Sequence, residues 1–188
     1  MSFAQKFYTS DTHFGHALML SPTLTKTCPR PFANTSEMDE VLIRNWNAVV
    51  RPDDIVYHLG DFAFGLGDEL RVRSLFARLM GRKRLIIGNH DVRKGGELHP
   101  AIAGLDWDEA PVSACETTDC GQRVYLHHYA CRVWPGSHKG SWHFYGHSHA
   151  ALPPLGRSRD VGVDCPDTGY APRTFQQLTA AIRDAEAG

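Results

Sequence analysis

Ile55-Val56-Tyr57-His58-Leu59-Gly60-Asp61-Phe62-Ala63 is the stretch that decides the fold class of this chain. Its first five residues have the β-branched and aromatic character of a short strand. The strand stops at a Gly-Asp pair, where glycine admits a tight turn. Just before it, Arg51-Pro52-Asp53-Asp54 is a turn that ends a helix. That helix is expected from an N-cap at Ser36, with Asp39 three residues on. Met38, Val41, Leu42 and Val49 fall on one face and Trp46 at its edge. A second helix fits roughly 68 to 80, with Val72, Leu75, Phe76 and Leu79 inward. Arg71, Arg73 and Arg78 then lie on or near its solvated face.

The same strand-then-polar design recurs outward from this stretch. Lys6–Thr9 reads as a strand running into Asp11, and Arg84–Ile87 as a buried strand ending at Gly88-Asn89. Further strands are expected at about 111–115, 122–128, 142–146 and 161–164, with Asp119-Cys120-Gly121 as a turn. A last helix begins near Pro172 and buries Phe175, Leu178 and Ile182. Helices separate the early strands and a hairpin links later ones. An α/β domain is the class that fits, with helices covering the outer faces of its sheets.

The 188 residues are expected to form a single domain, 1–188. The chain is 42% hydrophobic and 22% charged, ordinary for a globular protein. A net charge of -1 gives no global basic footprint for nucleic acid, although the loops at 26–35 and 92–99 are locally basic. The N-terminus lacks a long apolar run, which argues against a secretory signal, and no segment approaches membrane-spanning length. Five scattered cysteines without a CxxC pair point to reduced thiols and a cytoplasmic location.

Histidine is the unusual residue: 11 in all, six of them between His127 and His149. Five islands of metal-binding residue types sit where expected strands end. They are Asp11-Thr12-His13, Gly60-Asp61, Gly88-Asn89-His90-Asp91, His127-His128-Tyr129 and Gly146-His147-Ser148-His149. Residues two apart on extended chain point the same way, so Asp11 and His13 can bind one ion together, and His147 and His149 are spaced to face the same way. Each short motif alone is commonly structural, and Gly60-Asp61 alone is the weakest. The ordered set has enough carboxylate, amide and imidazole groups to fill the shells of two metal ions.

In this order the islands resemble the calcineurin-like metallophosphoesterases, whose pattern is D-x-H, GD, GNH[DE], a single His and GHxH. The resemblance runs from Ser10 to Val161-Gly162-Val163-Asp164 and is nearest to the small stand-alone bacterial and phage members. It implies a four-layer αββα sandwich of two mixed β-sheets flanked by helices, with the metal site at strand ends. It also implies one metal held by Asp11, His13, Asp61 and His149, and a second by Asp61, Asn89, His128 and His147, with Asp61 shared. His128 is preferred to His127 because Tyr129 follows it as in the family's His-Tyr-Pro, although Ala130 replaces the proline.

Two divalent ions, two aspartates and a hydroxide leave about one positive charge, which suits a phosphate anion. Mixed nitrogen and oxygen ligation suits Mn, with Fe or Zn as further candidates, above Mg or Ca. The implied reaction is hydrolysis of phosphate esters by a metal-bridging hydroxide. His90 would be the general acid, and Asp91 would either orient the His90 ring or cap its own loop. Gly60-Asp61 continues as Phe62-Ala63-Phe64-Gly65 and not as GD-x-x-D-R, which turns the expectation from phosphoprotein phosphatases toward phosphodiesters. His16, Arg30 and Arg93 are candidate substrate contacts. Tyr129 and Trp134 are candidates to stack a ring, whereas Trp142 is expected in the core. The substrate is then a phosphate ester, small molecule or nucleic acid. A nuclease or a non-catalytic scaffold on the same fold are the alternatives, and neither a membrane nor a protein partner is implied.

Overall fold

A computed structural model of the chain describes residues 4–22 and 29–187. Cys28 and the first part of the expected basic loop at 26–35 lie outside the described residues. Strands β1 (Lys6–Thr9), β2 (Ile55–His58), β3 (Arg82–Leu85) and β8 (Arg173–Thr174) form one sheet in the order β3-β2-β1-β8. Strands β4 (Ala114–Asp119), β5 (Gln122–His127), β6 (Trp142–Tyr145) and β7 (Ser158–Asp160) form the other in the order β4-β5-β6-β7. β1, β2 and β3 are parallel and β8 is antiparallel to β1. β4 and β5 are an antiparallel hairpin, and β5, β6 and β7 are parallel. Both sheets are therefore mixed. With helices α1 (Thr35–Val49), α2 (Glu69–Ala77), α3 (Pro100–Ala103) and α4 (Phe175–Ala187) they make the αββα sandwich.

The period of two along each strand divides the core in two. Phe7 and Val56 join Met38, Leu42 and Trp46 of α1 and Val72 and Phe76 of α2 in one apolar cluster. Their neighbours Tyr8 and Tyr57 point the other way, into a second cluster with Val124, Leu126, Trp142 and Phe144, closed by Phe175 and Leu178 of α4. Trp142 is a core residue, as its strand position implies.

Several boundaries differ from the sequence expectation. α1 is capped by Asn34, whose side chain accepts from the Glu37 amide at 2.9 Å, while the Glu37 carboxylate accepts from Ala33 N at 2.6 Å. This reciprocal cap starts the helix earlier than a cap at Ser36 would. β3 begins two residues before Arg84. The apolar Ile86 and Ile87 beyond it pair with Val112, which removes Val112 from the hairpin and moves β4 to 114–119. The strand expected at 161–164 lies earlier, at Ser158–Asp160. Gly162 instead bridges to Ser10, and Val163 N donates to Ser10 O at 3.1 Å, tying the two sheets together beside β1.

Candidate metal centre

Parallel strands send their following loops out at one edge. The loops after β1, β2, β3, β5 and β6 carry the five polar islands, and they meet there. Tight turning at this edge is enforced by close approach. A Cβ on Gly60, whose φ is +99°, would lie 2.6 Å from the Gly88 backbone. A Cβ on Gly146 would run into the Ser10 hydroxyl. The chain also adopts left-handed backbone at Asp11, His13, Asp61, His147 and His149, five of the eight non-glycine residues with positive φ among those described. Each such residue costs about 1–2 kcal/mol, and clustered strain of this kind marks functional sites.

The side chains form two groups. Asp11, His13 and His149 each place a ligand-type atom within 4.8 Å of the others, and so do Asp61, His128 and His147. Asp61 Oδ2 stands between the groups, 3.5 Å from His13 Nε2 and 3.6 Å from His128 Nε2. Asn89 Oδ1 lies 3.0 Å from His128 Nε2 and so belongs to the second group. His127 turns away: its Nδ1 lies 3.1 Å from the Tyr129 amide and its ring stacks on Tyr125.

Hydrogen bonds behind the site fix which atoms face it. Asp11 Oδ2 accepts from His147 N at 2.9 Å, which turns Oδ1 inward. Asp61 Oδ1 accepts from His90 N at 2.8 Å, which turns Oδ2 inward. His128 Nδ1 is 2.6 Å from Leu59 O, and His149 Nδ1 is 2.7 Å from Asp164 Oδ2, so both rings present Nε2. His13 Nδ1 is 3.3 Å from His16 Nδ1. With the proton between those two nitrogens carried by His13, its Nε2 is a lone-pair acceptor.

These residues fit divalent metal. Asp11 Oδ1 and His13 Nε2 are buried without a hydrogen-bond partner and lie 3.9 Å apart. Two buried acceptors facing each other are costly unless a cation stands between them. The ionisation tendencies agree. Burial, with the nearby Asp160 and Asp61 carboxylates, drives Asp11 well above the usual carboxylate range against the His149 charge. Burial and the neighbouring cations drive His13 well below the usual histidine range.

Two expected roles change. Asp91 is fully buried, and its carboxylate accepts from Asp61 N at 2.9 Å, Phe62 N at 3.0 Å and Gly88 N at 2.8 Å. It locks the Asp61 loop onto the Gly88 loop. Among the described residues the His90 ring is not one of its partners, so of the two expected roles the loop cap is the one seen. Arg30 is 2% exposed and holds Asp164 through Nε at 2.7 Å and Nη2 at 2.9 Å, with further bonds to the Asp11 and Thr12 carbonyls. Its donors are committed behind the site, which removes it as a substrate contact. His16 is buried beside His90: the two rings lie 5.8 Å apart, and the buried His16 Nε2 has no partner. Burial, then the His90 charge, pushes its pKa down to about 4. Arg93 is exposed, with its amide donating to Glu97 O.

Asp164 is the main residue that motif reading passed over. Burial alone would raise its carboxyl, but the Arg30 guanidinium and the His149 ring outweigh it and hold it well below the usual carboxylate range. Asp160 was also passed over; it accepts from the Ser148 hydroxyl at 2.6 Å and from Ala150 N at 3.0 Å. The usable signal was chemical: a metal-binding histidine commonly gives its second nitrogen to a carboxylate.

A profile of calcineurin-like phosphoesterases matches residues 7–140. The chain belongs to this family. The match ends before Gly146-His147-Ser148-His149, whose place in the site rests on its own motif and on the geometry. An uncharacterized protein of Methanocaldococcus jannaschii is 45% identical over 91 residues, covering 48% of this chain and 49% of that one. The gene 66 protein of Mycobacterium phage L5 is 36% identical over 87 residues, covering 45% of this chain and 39% of that one. The chain spans less than half the length of the curated relatives it matches. A solved structure, the protein of unknown function AQ665 from Aquifex aeolicus, superposes with a TM-score of 0.67 over 96% of this chain and 100% of that one at 23% identity. This likeness concerns the fold.

Proposed function

We propose that this single-domain family member is a dinuclear metal-dependent phosphoesterase that favours phosphodiesters. The observation that carries it is Asp61 Oδ2, poised 3.5 and 3.6 Å from imidazole nitrogens of two separate groups. Asp11, His13, Asp61 and His149 would hold one ion, and Asp61, Asn89, His128 and His147 the other, with Mn favoured over Fe or Zn. Two ions there supply an acidified water and offset phosphate charge.

The chain's own groups complete the chemistry. His90 follows Asn89, and its amide is pinned by Asp61 Oδ1, so its ring stands at the first group, 5.1 Å from the His13 ring. From there it gives a proton to the departing ester oxygen. His16, proton-bearing on Nε2 when His13 donates from Nδ1, offers a hydrogen bond to a phosphoryl oxygen. Arg93 is a candidate contact further out in the same loop as His90. The scattered cysteines favour a cytoplasmic setting. Among the described residues no helix is long and apolar enough to cross a membrane.

The test is hydrolysis of bis-p-nitrophenyl phosphate, p-nitrophenyl phosphate and labelled single- and double-stranded oligonucleotides across Mn, Fe, Zn and Mg. Diester turnover that needs added metal and is lost in Asp61→Ala is expected. No turnover of any ester with any metal would overturn the proposal.

A further inference from the structure

Two large aromatic rings stand half exposed at the metal centre, one beside each group of ligands. Phe64 and Tyr129 are each 43% exposed. Phe64 stacks face to face on His16, with ring centroids 4.0 Å apart and planes 5° from parallel, and stands 6.3 Å from the His90 ring. Tyr129 sets its ring against the other group, 4.9 Å from His128 and 4.7 Å from His147. The contacts run in a row across the site: Phe64 on His16, His16 beside His13, then Asp61, His128 and Tyr129.

Both rings are held. Phe64 N donates to Phe14 O at 2.9 Å, and the Arg71 guanidinium donates to the Phe64 carbonyl, so the main chain on each side of the ring is fixed. The Tyr129 ring packs edge to face against both His128 and His147, with planes 74° and 64° apart. Apolar ring area exposed to water is unfavourable. A ring kept rigid there, beside a site for a charged group, is prepared to be covered by something planar.

We propose that Phe64 and Tyr129 are specificity-determining platforms for a phosphodiester carrying planar ring groups. This rests on the phosphoesterase function proposed above. A phosphodiester sends its two organic groups away from phosphorus in different directions. The one that leaves must face His90, and Phe64 is the ring on that side. The one that stays lies toward Tyr129. A monoester has only one organic group and would leave Tyr129 uncovered. The diester preference thus gains a physical cause, and the substrate class narrows to esters with flat aromatic or nucleobase substituents. Stacking on such platforms tolerates many ring types.

The test uses two substrate ratios on the metal-loaded protein. For the retained group, kcat/KM is compared between the thymidine and methyl diesters of p-nitrophenol. For the leaving group, it is compared between methyl diesters of p-nitrophenol and of a fluorinated alcohol of similar acidity. Tyr129→Ala is expected to lower the first ratio about tenfold and Tyr129→Phe to restore it. Phe64→Ala is expected to lower the second by a similar factor. Ratios that do not move, or variants that each lower both ratios alike, overturn the platforms while leaving the phosphoesterase proposal standing. If the wild-type protein cleaves none of these diesters, the diester preference proposed above fails. Calorimetric binding of phenylphosphonate against methylphosphonate then decides the platforms separately. Tighter binding of the phenyl compound, lost in Phe64→Ala, supports them, and equal binding of the two overturns them.

Discussion

Replacing Asp164 by Asn separates the support behind the metal centre from the centre itself. The Asp164 side chain is 10% exposed and the Arg30 side chain 1%, and they meet through two bonds of 2.7 and 2.9 Å. Asn keeps the shape but leaves a guanidinium buried without its counter-charge. Removing one partner of such a pair costs about 3–5 kcal/mol. For a chain of this size each kcal/mol moves Tm by about 2–4 °C, so a fall of about 6–20 °C is expected. The effect has a pH signature. The folded-state pKa of Asp164 is depressed, so its contribution is present above the unfolded-state value of about 3.9 and fades as pH drops below it. The wild-type protein should lose this increment below about pH 4, and Asp164→Asn should lack it at neutral pH already. The double variant Arg30→Met with Asp164→Asn removes the orphan charge and should recover most of the stability. It should not recover metal affinity, because His149 Nδ1 still lacks its carboxylate. A loss of about 10–100-fold in affinity is expected in both variants. Urea or thermal unfolding of metal-free protein, with calorimetric Mn titration, measures both quantities. A single variant that loses under 1 kcal/mol, or a double variant that regains tight metal binding, would refute the reasoning.

Other outcomes follow from the same geometry. His90→Ala should keep two bound metals, yet slow cleavage of esters with poor leaving groups by about 10²–10⁴-fold and of p-nitrophenyl esters much less, as steady-state kinetics would show. Gly60→Ala forces a Cβ to within 2.6 Å of the Gly88 backbone at a φ of +99°, so loss of Mn binding together with a lower unfolding midpoint is expected. His143 lies beyond the metal site, its Nε2 accepting from Cys131 N at 3.0 Å and its Nδ1 3.2 Å from Tyr125 O; burial lowers its pKa to about 4. Because the neutral ring is the folded form, its stability is whole above pH 6.5 and is lost as pH falls toward 4, on the order of 2–3 kcal/mol. Urea midpoints measured across that range should show a slope that His143→Gln reduces.

The sheet strands and the ligand islands were legible because each rests on a local pattern. Val56-Tyr57 alternates between two apolar clusters, and Gly60 must turn where the strand ends. The helix start at Asn34 was missed because two plausible caps lie within three residues, and only the Glu37 return bond decides between them. The β3 shift was missed because Ile86 and Ile87 are apolar for a different reason, their pairing with Val112. Asp164 and Arg30 are 134 residues apart, and no local pattern reports that they share a buried bond. Asp91 was open between ring and loop, since its neighbour His90 and its three amide donors compete for the same short side chain.

Mn titration followed by electron paramagnetic resonance tests the dinuclear centre most directly. Two Mn(II) ions per chain with an exchange-coupled signal are expected, and Asp61→Ala should abolish the coupling. One ion, none, or two uncoupled ions in the wild-type protein would contradict a centre shared through Asp61.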